Sequence, residues 1–150
     1  MKSHRMNRLW ISTLWLVVVA VGSTACGGTF ASNRPQPVTD YARVIDQLRA
    51  AGVEAEAGDE VDQPFLAVKG RMIRVQGGDV QVFQYPDAAA TDAQAALISP
   101  DGATVGTAKL QWVGPPHFYK QGQLIVLYVG DDAHVLQALE SVLGRPFAGR

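Results

Sequence analysis

The sequence predicts an α+β protein, with a mainly antiparallel sheet and helices on one face, built as a leading helix followed by two ββα-like units. Three observations carry that expectation. Tyr41, Val44, Ile45 and Leu48 recur at i, i+3, i+4 and i+7, the spacing of a helix with one apolar stripe. Beyond it, short alternating apolar runs are separated by glycine turns, the pattern of hairpins. The order strand, glycine turn, strand, Asp-initiated helix also occurs twice. An offset of 44 residues aligns Gly78 with Gly122, Val80 with Leu124, Val82 with Val126, Asp87 with Asp131 and Ala89 with Ala133. Identity between the two halves is low, so shared topology explains the repeat better than duplication.

Taken in order, the leading helix has Thr39 as its expected N-cap and Asp40 in its first turn, where a carboxylate favours the positive end of the dipole. Gly52 is the expected stop. Residues 53–62 alternate Val53, Ala55 and Ala57 with Glu54 and Glu56, which suggests an edge strand whose acids discourage pairing with other chains. Strands are expected over 65–68 and 72–75, then a tight turn at Gly77-Gly78, then a strand of Val80 and Val82 alternating with Gln81, Phe83 and Tyr85. Pro86-Asp87 opens an alanine-rich helix reaching Ile98. Ser99-Pro100-Asp101-Gly102 has the residues of a β-turn. A strand over 107–113 is broken by Gly114-Pro115-Pro116, because proline cannot donate to a ladder. A last hairpin turns at Gln121-Gly122. Asp131 is the expected cap of a final helix with Val135, Leu136, Leu139, Val142 and Leu143 inward and Gly144 at its end.

A length of 150 residues suits one domain, and the single cysteine excludes an internal disulfide framework or a cysteine-based metal cluster. The formal charge is −1, but Lys2, Arg5 and Arg8 precede every acid, and losing those three positive charges leaves −4. Phosphate recognition needs clustered Lys and Arg, so no nucleic-acid partner is expected.

The first 25 residues explain where those bases belong. A basic start is followed by an apolar run over 9–21, then Gly22-Ser23-Thr24-Ala25 and Cys26. This is the order of a signal peptide. The whole apolar stretch, 9–25, is near the lower limit for crossing about 30 Å of hydrocarbon, so an uncleaved anchor is disfavoured. Ser23-Thr24-Ala25-Cys26 resembles the lipobox of bacterial lipoproteins. The resemblance implies cleavage before Cys26 and a diacylglycerol on its thiol, with Ser23 standing where the family usually has Leu. Ser-Thr-Ala also suits an ordinary signal peptidase, which would release a soluble product. Residues 26–37, poor in apolar groups and carrying Pro35 and Pro37, read as a tether holding a domain over 38–150 off a surface. Gly27 after the cysteine resembles lipoproteins sent to the outer membrane where the host has two.

Few residues suggest chemistry. His117, after two prolines and before Phe118-Tyr119, could be an acid/base or ligand-contacting histidine on a rigid loop. The simpler expectation is a hairpin residue that packs on aromatic neighbours and donates to a carbonyl. Asp131, Asp132 and His134 could be imagined around a metal, but a capped helix start explains them without one. Asp59, Glu60 and Asp62 lack EF-hand spacing and read as a solvated loop. Gly27-Gly28 and Gly77-Gly78 carry no phosphate-loop pattern, and Ser99 and Ser141 lie in no nucleophile elbow, so neither a cofactor nor an enzyme is expected. If helices cover only one sheet face, the surplus aromatics would form an exposed patch centred on Trp112, His117 and Tyr119, a candidate ligand or partner surface.

Several segments together resemble a group of small bacterial envelope lipoproteins: Gln63-Pro64-Phe65, Gln81-Val82-Phe83-Gln84-Tyr85, Ile98-Ser99-Pro100-Asp101-Gly102, and Pro115-Pro116-His117-Phe118-Tyr119 with the apolar run ending in Gly130-Asp131-Asp132. The resemblance covers about residues 38–144 and implies an envelope location without an activity. The expected role is a membrane-tethered, non-catalytic binding module for an envelope protein or small molecule. The alternatives are an accessory subunit of an envelope complex or a small extracytoplasmic hydrolase or metal-dependent enzyme.

Overall fold

Helix α1 (Tyr41–Ala50) opens where Asp40, in extended backbone, turns its carboxylate onto the Arg43 N–H at 2.9 Å. The cap is therefore Asp40, one residue later than the expected Thr39. The computed structural model describes residues 40–149; the expected signal peptide, Cys26, the expected tether and Thr39 lie outside them. Tyr41, Val44, Ile45 and Leu48 are buried, as their spacing predicts. Tyr41 also pins the helix to the sheet, its hydroxyl donating to Met72 O at 2.7 Å and accepting from Gly58 N at 3.2 Å.

Six strands form one antiparallel sheet in the order β1-β2-β3-β7-β6-β8. They are β1 (Ala55–Val61), β2 (Gly70–Val75), β3 (Gly78–Gln84), β6 (Pro116–Gln121), β7 (Leu124–Val129) and the short β8 (Ala148–Gly149). Two-residue strands β4 (Thr104–Val105) and β5 (Ala108–Lys109) make a separate hairpin. Helices α2 (Ala88–Ala95) and α3 (Ala133–Leu143) complete the α+β fold. No helix among the described residues is long and apolar enough to cross a membrane.

The central strands explain the layers. Val80 and Val82 of β3 and Leu124, Val126 and Tyr128 of β7 point to one side, where α1 and α3 cover them with Val44, Leu48, Val135 and Leu139. Phe83, Ile125 and Leu127 point to the other side, against Ala90 and Ala95 of α2, Ile98, Val105 and the ring of Trp112. Helices thus lie on both faces, not on one. A sheet apolar on both sides needs a cover on both, and α2 with the β4–β5 hairpin supplies the second.

The twofold strand–turn–strand–helix order is present, with the two hairpins side by side through β3 and β7. Its offset is different. The two-residue turns are Gln76–Gly77 and Gly122–Gln123, 46 apart, while the helix caps Asp87 and Asp132 are 45 apart. Gly78, aligned with the turn residue Gly122, is the first residue of β3 and not part of its turn, so that alignment misplaces the units. Asp132, not Asp131, caps α3, accepting from His134 N and Val135 N at 2.9 and 3.0 Å.

Two expected strands are lost or shortened. Residues 65–68 are turn and bend: Pro64 has no N–H to offer, Leu66 N bonds back to Gln63 O, and Ala67 N is taken by the Gln94 side chain. The strand over 107–113 shrinks to Ala108–Lys109, and Trp112 instead sends its indole N–H to Gly102 O at 2.8 Å. Helix α2 stops at Ala95 rather than Ile98, whose backbone bridges to Val105. Of the acids expected in a loop, Asp59 and Glu60 belong to β1, where Asp59 meets Arg74 and Glu60 meets Lys69, both at 2.7 Å, while Asp62 follows the strand. These exposed pairs add little stability.

Candidate functional site

Strand β6 decides the fate of the expected aromatic patch. Alternation sends His117 and Tyr119 to the α1/α3 side and Phe118 to the α2 side, where Trp112 packs edge-on against it at 5.8 Å. Tyr119 is 0% exposed, a core residue and not part of a surface. Trp112 is half-buried, wedged between Phe65 and Phe118. The three side chains therefore do not come together, because the second sheet face is covered as well.

His117 is 6% exposed. Its ring stacks on Tyr128 with centroids 6.2 Å apart, and Nε2 lies 3.1 Å from Gly130 O. A carbonyl can only accept, so Nε2 carries the proton. Burial lowers the His117 pKa, against smaller opposing effects of the Gly130 carbonyl and the Glu140 charge. This is the arrangement of a neutral packing histidine.

The most apolar recess lies on the other face, between α2 and residues 67–68. It is lined by Ala67, Val68, Tyr85, Pro86, Ala90, Ala93, Gln94 and Leu97, with a volume of ≈ 420 Å³. That falls within the roughly 300–1,000 Å³ of small-molecule sites. Asp87 caps α2 through Ala90 N at 2.8 Å and Thr91 Oγ1 bonds back to Asp87 O, which fixes the first turn against the end of β3. Alanines at 90 and 93 then leave space that larger side chains would fill. Leu97, 52% exposed, lies beyond the last turn as an apolar rim.

Two polar groups interrupt this apolar wall, and no charged residue does. Gln94 accepts the Ala67 N–H with Oε1 at 3.1 Å, and that bond fixes the amide so that Nε2 remains as a donor. Tyr85 is 3% exposed, and its hydroxyl has no hydrogen-bond partner among the described residues. Burial pushes its pKa up to about 12, so it stays a neutral donor. A broader depression of ≈ 510 Å³ beside the end of α1 carries Arg49, Glu54 and Glu56, but Arg49 is already bonded to Ala55 O at 2.8 Å. Without enclosed, unsatisfied groups it makes a weaker site.

Sequence reasoning missed the groove. Its only local trace is the run of alanines after Tyr85-Pro86-Asp87, too small to fill a helix–sheet interface. Comparison with family models, curated proteins and solved structures finds no match for the chain. The fold and the groove define an α+β domain with a sheet covered on both sides and a lateral apolar recess.

Proposed function

We propose that this protein is a bacterial lipoprotein, anchored by a diacylglycerol on Cys26, whose extracytoplasmic domain is a non-catalytic binding module. The observation that carries the binding role is the uncharged, largely apolar groove beside α2, whose wall includes the buried Gln94 side chain bonded to Ala67 N. The basic, apolar, small-residue order ending at Cys26 supports the anchor, and the spacer over 26–37 supports a domain held off the membrane. In a host with two membranes, Gly27 favours the outer one. The engagement of His117 with Gly130 and Tyr128 supports a packing role and not acid/base work.

The anchor is tested by Cys26→Ser. The expected outcome is a folded domain without lipid mass and a loss of membrane association. A wild-type product that keeps its basic N-terminus, or bears a bare thiol, refutes the lipid. The binding role is tested by photolabelling with an uncharged diazirine-bearing alkyl probe and mapping the labelled peptides. Label is expected within residues 67–97 and lost in Leu97→Asp, a substitution at an exposed site. Label spread evenly over the chain refutes the groove.

A further inference from the structure

We propose that the loop at Trp112 and Val113, together with Phe147, is a bilayer-docking surface that turns the β8 edge of the domain toward the membrane. This inference rests on the Cys26 anchor proposed above and adds which side of the domain meets the lipid. Trp112 and Phe147 both pack on the buried ring of Phe118, with centroids 5.8 and 6.3 Å from it. Gly102 O accepts the Trp112 indole N–H, and a Cβ at Gly102 would crowd Pro116, Phe118 and Gly149. The two rings are thus held around one point, and part of each stays outside the core. Val113, next to Trp112, is the one large apolar side chain among the described residues that is fully exposed.

Charge suits a phospholipid surface. No Asp or Glu occurs over 102–130 or 141–150, although acids outnumber bases in the whole chain. Lys109 and Arg145 flank the surface in sequence, both exposed and in no ion pair among the described residues. Asp101, next to Gly102, accepts from Ser99 Oγ and Ala103 N at 2.6 and 3.0 Å. An aromatic and apolar tip flanked by cations has the composition favoured at a bilayer interface. Size separates lipid from a soluble partner. Three side chains offer far less than the about 800 Å² per partner of a stable protein complex. So small a contact works only where its partner is already held at an effective concentration of about millimolar. The anchor meets that condition for lipid. Reach fits as well. Tyr41 bonds to Met72 of β2, four strand positions from β8, or about 20 Å at the usual spacing. Residues 26–39 can span at most about 50 Å, so the β8 edge can meet the bilayer with the start of α1 held above it.

The test reconstitutes the full chain, through its own anchor, in vesicles of phosphatidylcholine and phosphatidylglycerol doped with a phospholipid bearing an acyl-chain diazirine. Mass spectrometry maps the labelled peptides and reads the lipid mass on Cys26. Label should fall on residues 110–116 and 145–149 about fivefold or more above residues 41–62. Val113→Asp should lower that label about tenfold at an unchanged melting temperature, and Val113→Leu should retain it. With lipid present on Cys26, label that is missing from the domain, spread evenly over it, concentrated on 67–97 or unmoved by Val113→Asp overturns the docking surface and leaves the anchor standing. A Cys26 without lipid overturns both.

Discussion

Tyr119 shows what a single buried polar atom costs. Its ring fills the core between β6 and α3, yet its hydroxyl is out of reach of water and of any acceptor among the described residues. Replacing it with Phe keeps the ring and removes the unsatisfied group, so Tyr119→Phe should stabilise the protein by about 1 kcal/mol, read as a higher urea midpoint at unchanged slope. A lower midpoint would mean that the hydroxyl has an acceptor. Burial also raises the pKa of Tyr119 and Tyr85 to about 12 from an ordinary 10. Both groups bind their protons more tightly when folded, so their contribution is complete below pH 10 and is lost as pH rises through 10 to 12. Stability should fall in that window by roughly 1.4 kcal/mol per tyrosine per pH unit, with a shallower slope in Tyr119→Phe. His117 works in the opposite direction. Its folded pKa is depressed, mainly by burial, so its contribution is present above the ordinary 6.5 and fades as pH falls below it. His117→Gln, which retains a donor for Gly130 O and cannot titrate, should flatten the acid limb of the stability curve. An unchanged acid limb would show that His117 does not set it.

Among the elements, the two later helices turn on their caps. Asp132 accepts from two backbone amides at the start of α3, whereas Asp131 is exposed and makes neither of those bonds. Asp132→Ala should therefore cost about 1 kcal/mol in denaturant titration, and Asp131→Ala clearly less. The reverse order would restore the cap that the sequence pattern suggested. Helix α1 was legible down to its buried side chains because an i, i+3, i+4, i+7 stripe needs only local periodicity. The β6–β7 hairpin was legible for the same reason, through a two-residue turn with glycine at φ +56. The strand expected over 65–68 was not. Phe65-Leu66-Ala67-Val68 has strand composition, but Pro64 and the side chain of Gln94, far away in sequence, claim its backbone instead.

Across the whole molecule, the sheet is a partition between two cores that depend on different partners. One joins α1 and α3 over β3, β6 and β7; the other joins α2, the β4–β5 hairpin and β8 to the opposite side. Leu48, fully buried in the first, is a test of that division. Leu48→Asp places a charge with no partner in a dry layer and should cost about 4 kcal/mol or more, enough to abolish the cooperative melt of a domain this size. A melt unchanged from wild type would mean that α1 packs through another stripe. The C-terminal strand closes the second core by a close approach. Gly149, at φ +87, hydrogen-bonds to Pro100 O, and a Cβ there would overlap the Pro116 carbonyl. That close approach admits only glycine.

The amino-acid sequence by itself determined the α+β class, the stripe of α1, the presence of two glycine-turn hairpins, each turn expected within one residue of its place, and the two-sided apolar character of β7. Each of these follows from spacing within one short segment. Only the tertiary structure decided that α2 lies across the sheet from α3, that Tyr119 is core, and that Tyr85, Ala93 and Gln94 share a groove with Val68. Those facts depend on which surface a segment meets after folding, and burial, unfilled volume and unpaired hydrogen-bonding groups exist only once distant segments are packed against each other.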